Sequence, residues 1–155
     1  MHIRIDDLEG PEILTLLADH LADMNATSPP ESVHALDVSA LKDASVTFWT
    51  AWQAGQLMGC VALMALDGEQ GELKSMRTAR AFRQQGVAAT LLRYVIAQAE
   101  ARGLSRLSLE TGTMPYFAPA RRLYGRFGFV PCTPFGTYSL DPNSCFMTLT
   151  LNVST

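Results

Sequence analysis

The sequence is poor in lysine, and its cysteines do not form the spaced pairs that hold metals or disulfides. Lysine occurs only as Lys42 and Lys74, and the formal net charge is −3. This balance argues against a general nucleic-acid binder, whose affinity rests on clustered Lys and Arg, although arginines concentrated in the second half permit a local anionic ligand. The cysteines, Cys60, Cys132 and Cys145, form no CxxC pair and no even set. We interpret them as small apolar packing residues in a reducing compartment.

Signatures of several other ligand sites are also missing. The histidines, His2, His20 and His34, show no i,i+4 pair, so no metal site is expected. The chain has no GxxxxGK[ST] loop, and no GxGxxG motif follows its first predicted strand, which argues against a Walker ATPase and a dinucleotide-binding oxidoreductase. Its apolar runs are too short to span a bilayer. The first residues lack a basic and apolar leader and turn acidic at Asp6 and Asp7, so we expect a cytoplasmic protein without a membrane partner.

The composition indicates a folded domain. Hydrophobic residues make up 48% of the 155 positions and charged residues 17%, which is typical of a globular chain rather than a disordered one. A chain of this length buries roughly two-thirds of the surface that its unfolded state exposes. We therefore expect one domain that covers residues 1–155.

Hydrophobic periodicity predicts the element order β-α-(α)-β-β-β-α-β-α-β-β. Helices are expected at 11–24, around 38–42, at 87–102 and from 119 onward, and strands at 2–5, 46–52, 56–64, 72–78, 105–110, 129–130 and 145–151. The first helix is expected to turn its apolar side chains inward, namely Ile13, Leu14, Leu17, Leu21 and Met24. This order predicts a mixed α/β fold in which a central sheet carries helices on both faces.

The hexamer Arg83-Gln84-Gln85-Gly86-Val87-Ala88 lies between the predicted strand 72–78 and the predicted helix 87–102. Its glycine lets the backbone approach a ligand, and the small residue two positions later keeps the first helical turn open. The unpaired N–H groups of that turn and the helix dipole form an anion site that suits phosphate. An ordinary strand-to-helix loop has the same local pattern, so the flanking segments decide its meaning.

The segments that flank the hexamer resemble those of a known protein family. The hexamer, the strand Glu72–Thr78, the strand Arg106–Thr111 and the string Ala120-Arg-Arg-Leu-Tyr-Gly-Arg-Phe-Gly-Phe129 together resemble the GNAT family of N-acetyltransferases across essentially the whole chain. The segment 134–147 further looks like a bacterial subgroup of small GNAT proteins. The resemblance implies a mostly antiparallel sheet of six to seven strands, acetyl-CoA as the donor and no metal.

The resemblance assigns the donor site mainly to backbone groups. It places the pyrophosphate of coenzyme A at the N–H groups of Gln85 to Ala89. Main-chain groups around Met76 and Thr78 would pair with the pantetheine arm as an added strand, and one N–H nearby would polarise the thioester carbonyl. The expected cofactor-binding residues are Met76, Arg77, Thr78, Arg83, Gln84, Gln85, Gly86, Val87, Ala88, Ala89 and Tyr124.

The resemblance also implies catalytic residues. Tyr124 matches the tyrosine whose hydroxyl lies near the sulfur and serves as general acid, although its place on an apolar helical stripe equally fits core packing. Two carboxylates compete for the role of base: Glu72, which begins the fourth predicted strand, and Glu110, which ends the fifth. The amine can also lose its proton to bulk water, and then no protein base is needed.

The acceptor pocket is expected to draw on the first helix and its following loop, the hairpin, and the segment between the last strands. These parts supply the expected substrate residues Glu31, His34, Trp49, Phe135 and Tyr138. Aromatic walls with an acidic residue suit a small cationic or aromatic amine.

The leading hypothesis is an acetyl-CoA-dependent N-acetyltransferase that moves an acetyl group directly to a small-molecule amine in a ternary complex. A protein or peptide acceptor is the nearest alternative. A non-catalytic acyl-CoA-binding module is the second alternative, in which the phosphate loop is kept while the chemistry is lost. Exposed sheet edges lead us to expect that the protein can form a homodimer.

Overall fold

The alternating segments of the chain form one sheet, seen in a computed structural model that describes residues 1–152. The last three residues of the predicted domain, 153–155, lie outside the described residues. The strands are β1 (His2–Ile5), β2 (Val46–Gln53), β3 (Gln56–Ala65), β4 (Gln70–Thr78), β5 (Arg106–Gly112), β6 (Val130–Pro131) and β7 (Ser144–Thr150). The α-helices are α1 (Pro11–Thr27), α2 (Val38–Leu41), α3 (Val87–Ala101) and α4 (Ala118–Arg126).

The seven strands lie in the order β1-β2-β3-β4-β5-β7-β6. Neighbouring strands are antiparallel except β4 and β5, which run parallel. These two strands pair only from Gln70 with Arg106 to Glu72 with Ser108. Beyond Glu72 they separate, which opens the middle of the sheet and exposes the backbone edge of β4. The predicted mixed α/β architecture is confirmed.

Helices cover both faces of the sheet, as predicted. On one face, α3 and α4 form a core with the central strands through side chains such as Leu91, Leu107 and Leu123. On the other face, Ile13 of α1 packs with Phe48 in a smaller core. No helix within residues 1–152 has the length and the hydropathy needed to cross a membrane.

The first helix differs from its prediction. It continues to Thr27, three residues beyond the expected end, and the N–H of Ser28 still donates to the carbonyl of Met24. Leu14 and Leu21 were expected inside, but they are 38% and 40% exposed. They lie seven residues apart on the flank of the helix, whereas a narrower stripe centred on Ile13, Leu16 and Leu17 faces the sheet.

A β-bulge in β4 is absent from the prediction. Cys60 of β3 pairs with Arg77, and Ala62 pairs with Lys74, so β4 uses three steps where β3 uses two. Ser75 takes up the extra residue with a φ of 53°. The bulge puts Arg77 on the same face of the sheet as Lys74. In a regular strand, Met76 would lie on that face instead.

The observed strand bounds also change the positions of both candidate bases within their strands. β4 begins at Gln70, so Glu72 is its third residue rather than its first. β5 continues to Gly112, so Glu110 lies inside the strand rather than at its end. Both carboxylates are therefore held by regular backbone on either side of the opening in the sheet.

Candidate active site

A cavity of about 510 Å³ lies where β4 and β5 separate. Its walls come from α1, the segment after α1, β4, β5, the start of α3 and α4. It brings together residues that are far apart in sequence. Ten of the residues predicted for the site line it: His34, Glu72, Met76, Arg77, Thr78, Arg83, Gln84, Ala88, Glu110 and Tyr124.

The donor end of the cavity is built by the predicted hexamer. Gly86 caps α3 with a φ of 81°, and Gln84 before it also has a positive φ, of 62°. The first helical hydrogen bond runs from the N–H of Thr90 to the carbonyl of Gly86, at 3.0 Å. The N–H groups of residues 87–89 therefore precede the helical ladder and point out of the helix start. This geometry suits a phosphate group.

The side chains of the hexamer differ in their surroundings. Val87 is buried in the core, and Gln85 and Gly86 are exposed. Three residues of the hexamer, Arg83, Gln84 and Ala88, line the cavity itself. The sequence pattern thus locates a backbone cradle with one cationic side chain at its rim.

The open edge of β4 leads from this cradle into the cavity. Because β4 loses its parallel partner after Glu72, the backbone that would face β5 is free to pair with an extended ligand. Met76 and Thr78 line the cavity along this edge. The strained backbone at Ser75 re-aims the strand at this point.

Tyr124 lies across the cavity from β4, on α4. Its side chain packs against Phe129, with ring centroids 5.8 Å apart, and it also lines the cavity. Packing and contact with the cavity are therefore compatible. Burial raises the pKa of the phenol, and the nearby charge of Glu110 raises it further. Tyr124 is a protonated hydroxyl at any working pH.

Glu72 belongs to a buried hydrogen-bond network that closes one end of the cavity. Its Oε2 accepts from the hydroxyl of Tyr138 at 2.6 Å and from Nζ of Lys74 at 3.2 Å. The side chains of Glu72 and Lys74 are 3% and 8% exposed. Lys74 also donates to the carbonyl of His34 at 3.3 Å and to the Tyr138 oxygen at 2.9 Å. Glu72 is thus an ion-paired and fully engaged carboxylate.

Lys74 was missed in the sequence analysis. One signal was available, because Lys74 follows Glu72 by two positions on a predicted strand and therefore shares its face. The sequence gives no indication that Tyr138 and the main chain of His34 would complete the network. Those contacts depend on how two long loops meet.

Glu110 is the second carboxylate at the opening, and it is less engaged. Burial in the cavity wall raises the pKa of Glu110, while the hydroxyl of Ser144 and the charge of Lys74 act in the opposite direction. A carboxylate whose pKa is raised toward neutrality is a stronger proton acceptor than an ordinary one. Glu110 therefore combines a raised pKa with a place in the cavity wall.

Two predicted substrate residues do not reach the cavity. Trp49 is buried in the core on the α3 face, where it packs edge-on against Tyr94 with centroids 5.9 Å apart. Strand alternation turns it away from the α1 face, which carries its neighbour Phe48. Glu31 is exposed in the short turn Pro30–Ser32 and is absent from the lining. Neither residue lines this cavity, so the structure gives no support to their predicted place in the acceptor pocket.

The other two aromatic residues of the predicted pocket act behind its wall. Phe135 packs edge-on against Tyr138, with centroids 5.2 Å apart, and Tyr138 contacts the ring of His34 in the same way at 5.0 Å. Tyr138 reaches the site through its hydroxyl, as described above. The segment between β6 and β7 is also fixed by Asp141, whose Oδ2 accepts from Ser32 Oγ at 2.6 Å.

A cationic cluster forms the α1 side of the cavity. The guanidinium of Arg77 contacts Asp23 at 2.7 Å, and Arg80 contacts the same carboxylate at 3.3 Å. The hydroxyl of Tyr116 donates to it as well, at 3.4 Å. The hydrogen bond from Arg77 lowers the pKa of Asp23. Within residues 1–152 no group of three or more His, Cys, Asp or Glu side chains is placed to hold a metal ion.

Comparison with known proteins identifies the family. The model of the acetyltransferase (GNAT) family matches residues 13–129. The chain is 52% identical over 148 residues to the uncharacterized N-acetyltransferase YsnE of Bacillus subtilis, covering 96% of this chain and 98% of that protein. The structure of an acyl-CoA N-acyltransferase from Klebsiella pneumoniae superposes with a TM-score of 0.82 at 28% identity, over 97% of both chains.

A GNAT family acetyltransferase from Elizabethkingia anophelis, solved with acetyl-CoA bound, has the same fold, with a TM-score of 0.68 at 20% identity over 97% of both chains. The chain therefore belongs to the acetyltransferase (GNAT) family and is an N-acetyltransferase.

Proposed function

We propose that the protein transfers the acetyl group of acetyl-CoA directly to the amine of a small molecule, in a ternary complex. The observation that carries the proposal is the continuity of one cavity, which contains the rim of the phosphate cradle, Tyr124 and Glu110. Both substrates can therefore meet in one space. Holding them together supplies much of the rate enhancement, because the transfer becomes effectively unimolecular.

The cysteines support direct transfer rather than an acyl-enzyme. Cys60 is fully buried among apolar residues, and burial raises the pKa of its thiol to about 12. Cys132 and Cys145 also have raised pKa values because of burial, and neither lines the cavity. A thiol acts as a nucleophile in its thiolate form. The raised pKa values disfavour the thiolate at all three cysteines.

In the proposed reaction, the amine nitrogen attacks the thioester carbonyl carbon, and the carbon–sulfur bond breaks. The proton lost by the amine passes to Glu110, directly or through water, and the hydroxyl of Tyr124 protonates the leaving sulfur. The products are the N-acetylated amine and coenzyme A. A proton from Glu110 through solvent restores the phenol, so the enzyme ends the cycle unchanged.

Glu110 is a better candidate for the base than Glu72. Glu72 already accepts hydrogen bonds from Tyr138 and Lys74. Glu110 carries the raised pKa and lines the same cavity as Tyr124, so both groups can serve one reacting centre. We assign Glu72 a positioning role at the acceptor end.

The links that fasten the acceptor end favour a small molecule over a protein. Tyr138 ties the segment between β6 and β7 to β4, and Asp141 ties it to the turn at Ser32. These links leave a bounded cavity of about 510 Å³, which must also hold the end of the donor. A folded protein surface would need these links to open, whereas a compact amine does not.

Release of free thiol from acetyl-CoA tests the proposal. The purified protein is mixed with acetyl-CoA and a panel of small amines, and free thiol is measured together with the mass of the acetylated product. Acceptor-dependent release and simultaneous saturation by both substrates are expected. Binding of coenzyme A without release by any amine or peptide would overturn the proposal in favour of an acyl-CoA-binding module. Release by peptides alone would assign a protein acceptor.

A further inference from the structure

The cavity has a cationic end as well as an anionic one. Arg77 lines it from the face that α1 covers, and the side chain is only 5% exposed. The carboxylate of Asp23 faces both Arg77 and Arg80, so the cluster keeps one positive charge in excess. Glu110 lines the cavity from β5, across the opening from β4. The Arg77 end and the Glu110 end thus differ in sign.

Arg77 has a donor that the protein does not use. Its Nε is buried and has no hydrogen-bond partner among the described residues. Buried polar groups are nearly always paired, and a guanidinium stays charged at every working pH. The unused N–H of a buried cation beside a substrate cavity points to an acceptor that a ligand supplies.

The bulge in β4 explains why a cation is found here. The extra residue at Ser75 turns Arg77 toward the α1 face, which also carries Glu72 and Lys74. Without the bulge, Met76 would occupy that face. One local irregularity thus places a guanidinium and a carboxylate along the same cavity wall.

The histidine beside this cluster adds no charge. His20 lines the cavity, and burial lowers its pKa to about 4, with the charge of Arg77 as a further cause. The imidazole is therefore neutral at neutral pH and can donate or accept one hydrogen bond. The excess positive charge belongs to the guanidinium groups.

We propose that the acceptor is an amine that also carries a carboxylate, as an amino acid does, and that Arg77 binds the carboxylate while the amine lies at the Glu110 end. This inference rests on the proposed function. A guanidinium presents planar N–H groups that match the two oxygens of a carboxylate. The opposite signs of the two ends complement a molecule that carries both charges and disfavour one that carries a single charge.

Matched acceptors give the first test. Amino acids are compared with their amides and with the amines that lack the carboxylate, with saturating acetyl-CoA. We expect kcat/KM to be about 10- to 100-fold higher for the carboxylated member of each set, which is the range of a hydrogen bond to a charged group. Equal values across the sets would overturn the inference while leaving the proposed function intact. Turnover of no amine at all would instead overturn the proposed function.

Variants of Arg77 give the second test. Arg77→Gln is expected to raise KM for the carboxylated acceptors to that of their amides, with little change for the amides. Its affinity for coenzyme A is measured alongside, because the donor role expected near Arg77 belongs to the main chain. Arg77→Lys keeps the charge but loses Nε, and is expected to recover only part of the preference. Arg80→Gln separates charge from contact, because it removes the excess positive charge of the cluster at a position that does not line the cavity, and it should weaken the preference for carboxylated acceptors less than Arg77→Gln does.

Binding and folding measurements distinguish a loss of acceptor binding from a loss of structure. Thermal unfolding and coenzyme A binding verify each variant, and a small carboxylic acid without an amine should compete with the acceptor but not with acetyl-CoA. A parallel loss for carboxylated and neutral acceptors in Arg77→Gln would mean that Arg77 only holds α1 to the sheet through Asp23. If the variants do not fold, the matched acceptors and the competition experiment with the unaltered protein decide.

Discussion

The hydroxyl of Tyr138 donates a 2.6 Å hydrogen bond to Oε2 of Glu72, although 66 residues separate the two in sequence. This contact fastens the segment between β6 and β7 onto β4 at the point where the sheet opens. It also occupies the carboxylate that the sequence made a candidate base. The acceptor end of the cavity is therefore shaped by a pair that neither local motif reveals.

Tyr138→Phe removes this contact and keeps the ring. We expect the free energy of unfolding to fall by about 1–3 kcal/mol, because the buried carboxylate and Lys74 each lose a partner. KM for the acceptor should rise while KM for acetyl-CoA stays constant, since the loosened segment borders only the acceptor end. Urea unfolding and two-substrate kinetics measure both effects. An equal rise in both KM values would argue against this division of the cavity.

The Glu72–Lys74 pair supports a double-mutant test. Lys74→Met leaves a buried carboxylate without its cation and should lower the free energy of unfolding by about 3–5 kcal/mol. The double variant Glu72→Leu/Lys74→Met should recover most of that loss, because no buried charge remains. Denaturant unfolding of the two single variants and the double variant gives the coupling. Additive losses would show that the two side chains do not interact.

The donor site was accessible from sequence because its signals are local. Gly86, at the start of α3, stands in the left-handed region, and so do Gly103 and Gly128 just past the ends of α3 and α4. Such positions favour glycine on steric grounds, so the residue type itself marks the helix boundary. The order of the elements follows for the same reason.

The acceptor site was less accessible because it depends on register and on contacts between distant segments. Strand alternation predicts that Trp49 and Phe48 face opposite sides of the sheet, but it does not predict which side holds the cavity. The bulge at Ser75, which brings Arg77 to the cavity, requires a positive φ that serine rarely adopts. Pairing with β3 stabilises that conformation, and residues 72–78 alone do not predict it.

The pH dependence of the reaction should follow Glu110. Its carboxylate form accepts the proton, and its pKa is raised, so kcat/KM should increase with pH as the pH passes through that raised pKa. Glu110→Gln should remove this acidic limb and lower kcat/KM by about 100-fold. Initial rates from pH 5 to pH 9 measure the limb. Glu72→Gln should keep the acidic limb of the unaltered protein, because Glu72 is assigned a positioning role. If Glu72→Gln lost the limb and Glu110→Gln kept it, the two assignments would be reversed.

Tyr124→Phe tests the general acid. The ring still packs against Phe129, so we expect the affinity for coenzyme A and the thermal stability to stay close to those of the unaltered protein. The turnover number should fall by about 100-fold, because the leaving sulfur loses its proton donor. Tyr94→Phe is the matched control, since Tyr94 packs against Trp49 outside the cavity lining. Unchanged turnover of Tyr124→Phe at saturating substrate would leave the tyrosine with a packing role only.

Gly86→Ala tests the phosphate cradle through its backbone. A Cβ at this position meets no atom within 4 Å, so the variant has room, but its φ of 81° is unfavourable for alanine. The left-handed conformation costs about 1–2 kcal/mol for a residue with a Cβ. If the loop relaxes to avoid this cost, the N–H groups of residues 87–89 move, and the affinity for coenzyme A should fall by about 10-fold.

Gly125→Ala provides the comparison for that substitution. It lies inside α4, its Cβ also meets no atom within 4 Å, and its φ is not positive. Alanine should therefore raise stability by about 0.5–1 kcal/mol and leave coenzyme A binding unchanged. Calorimetric titration with coenzyme A distinguishes the two variants. Equal affinities in both would mean that the left-handed backbone at Gly86 only links β4 to α3, and that the phosphate is held elsewhere.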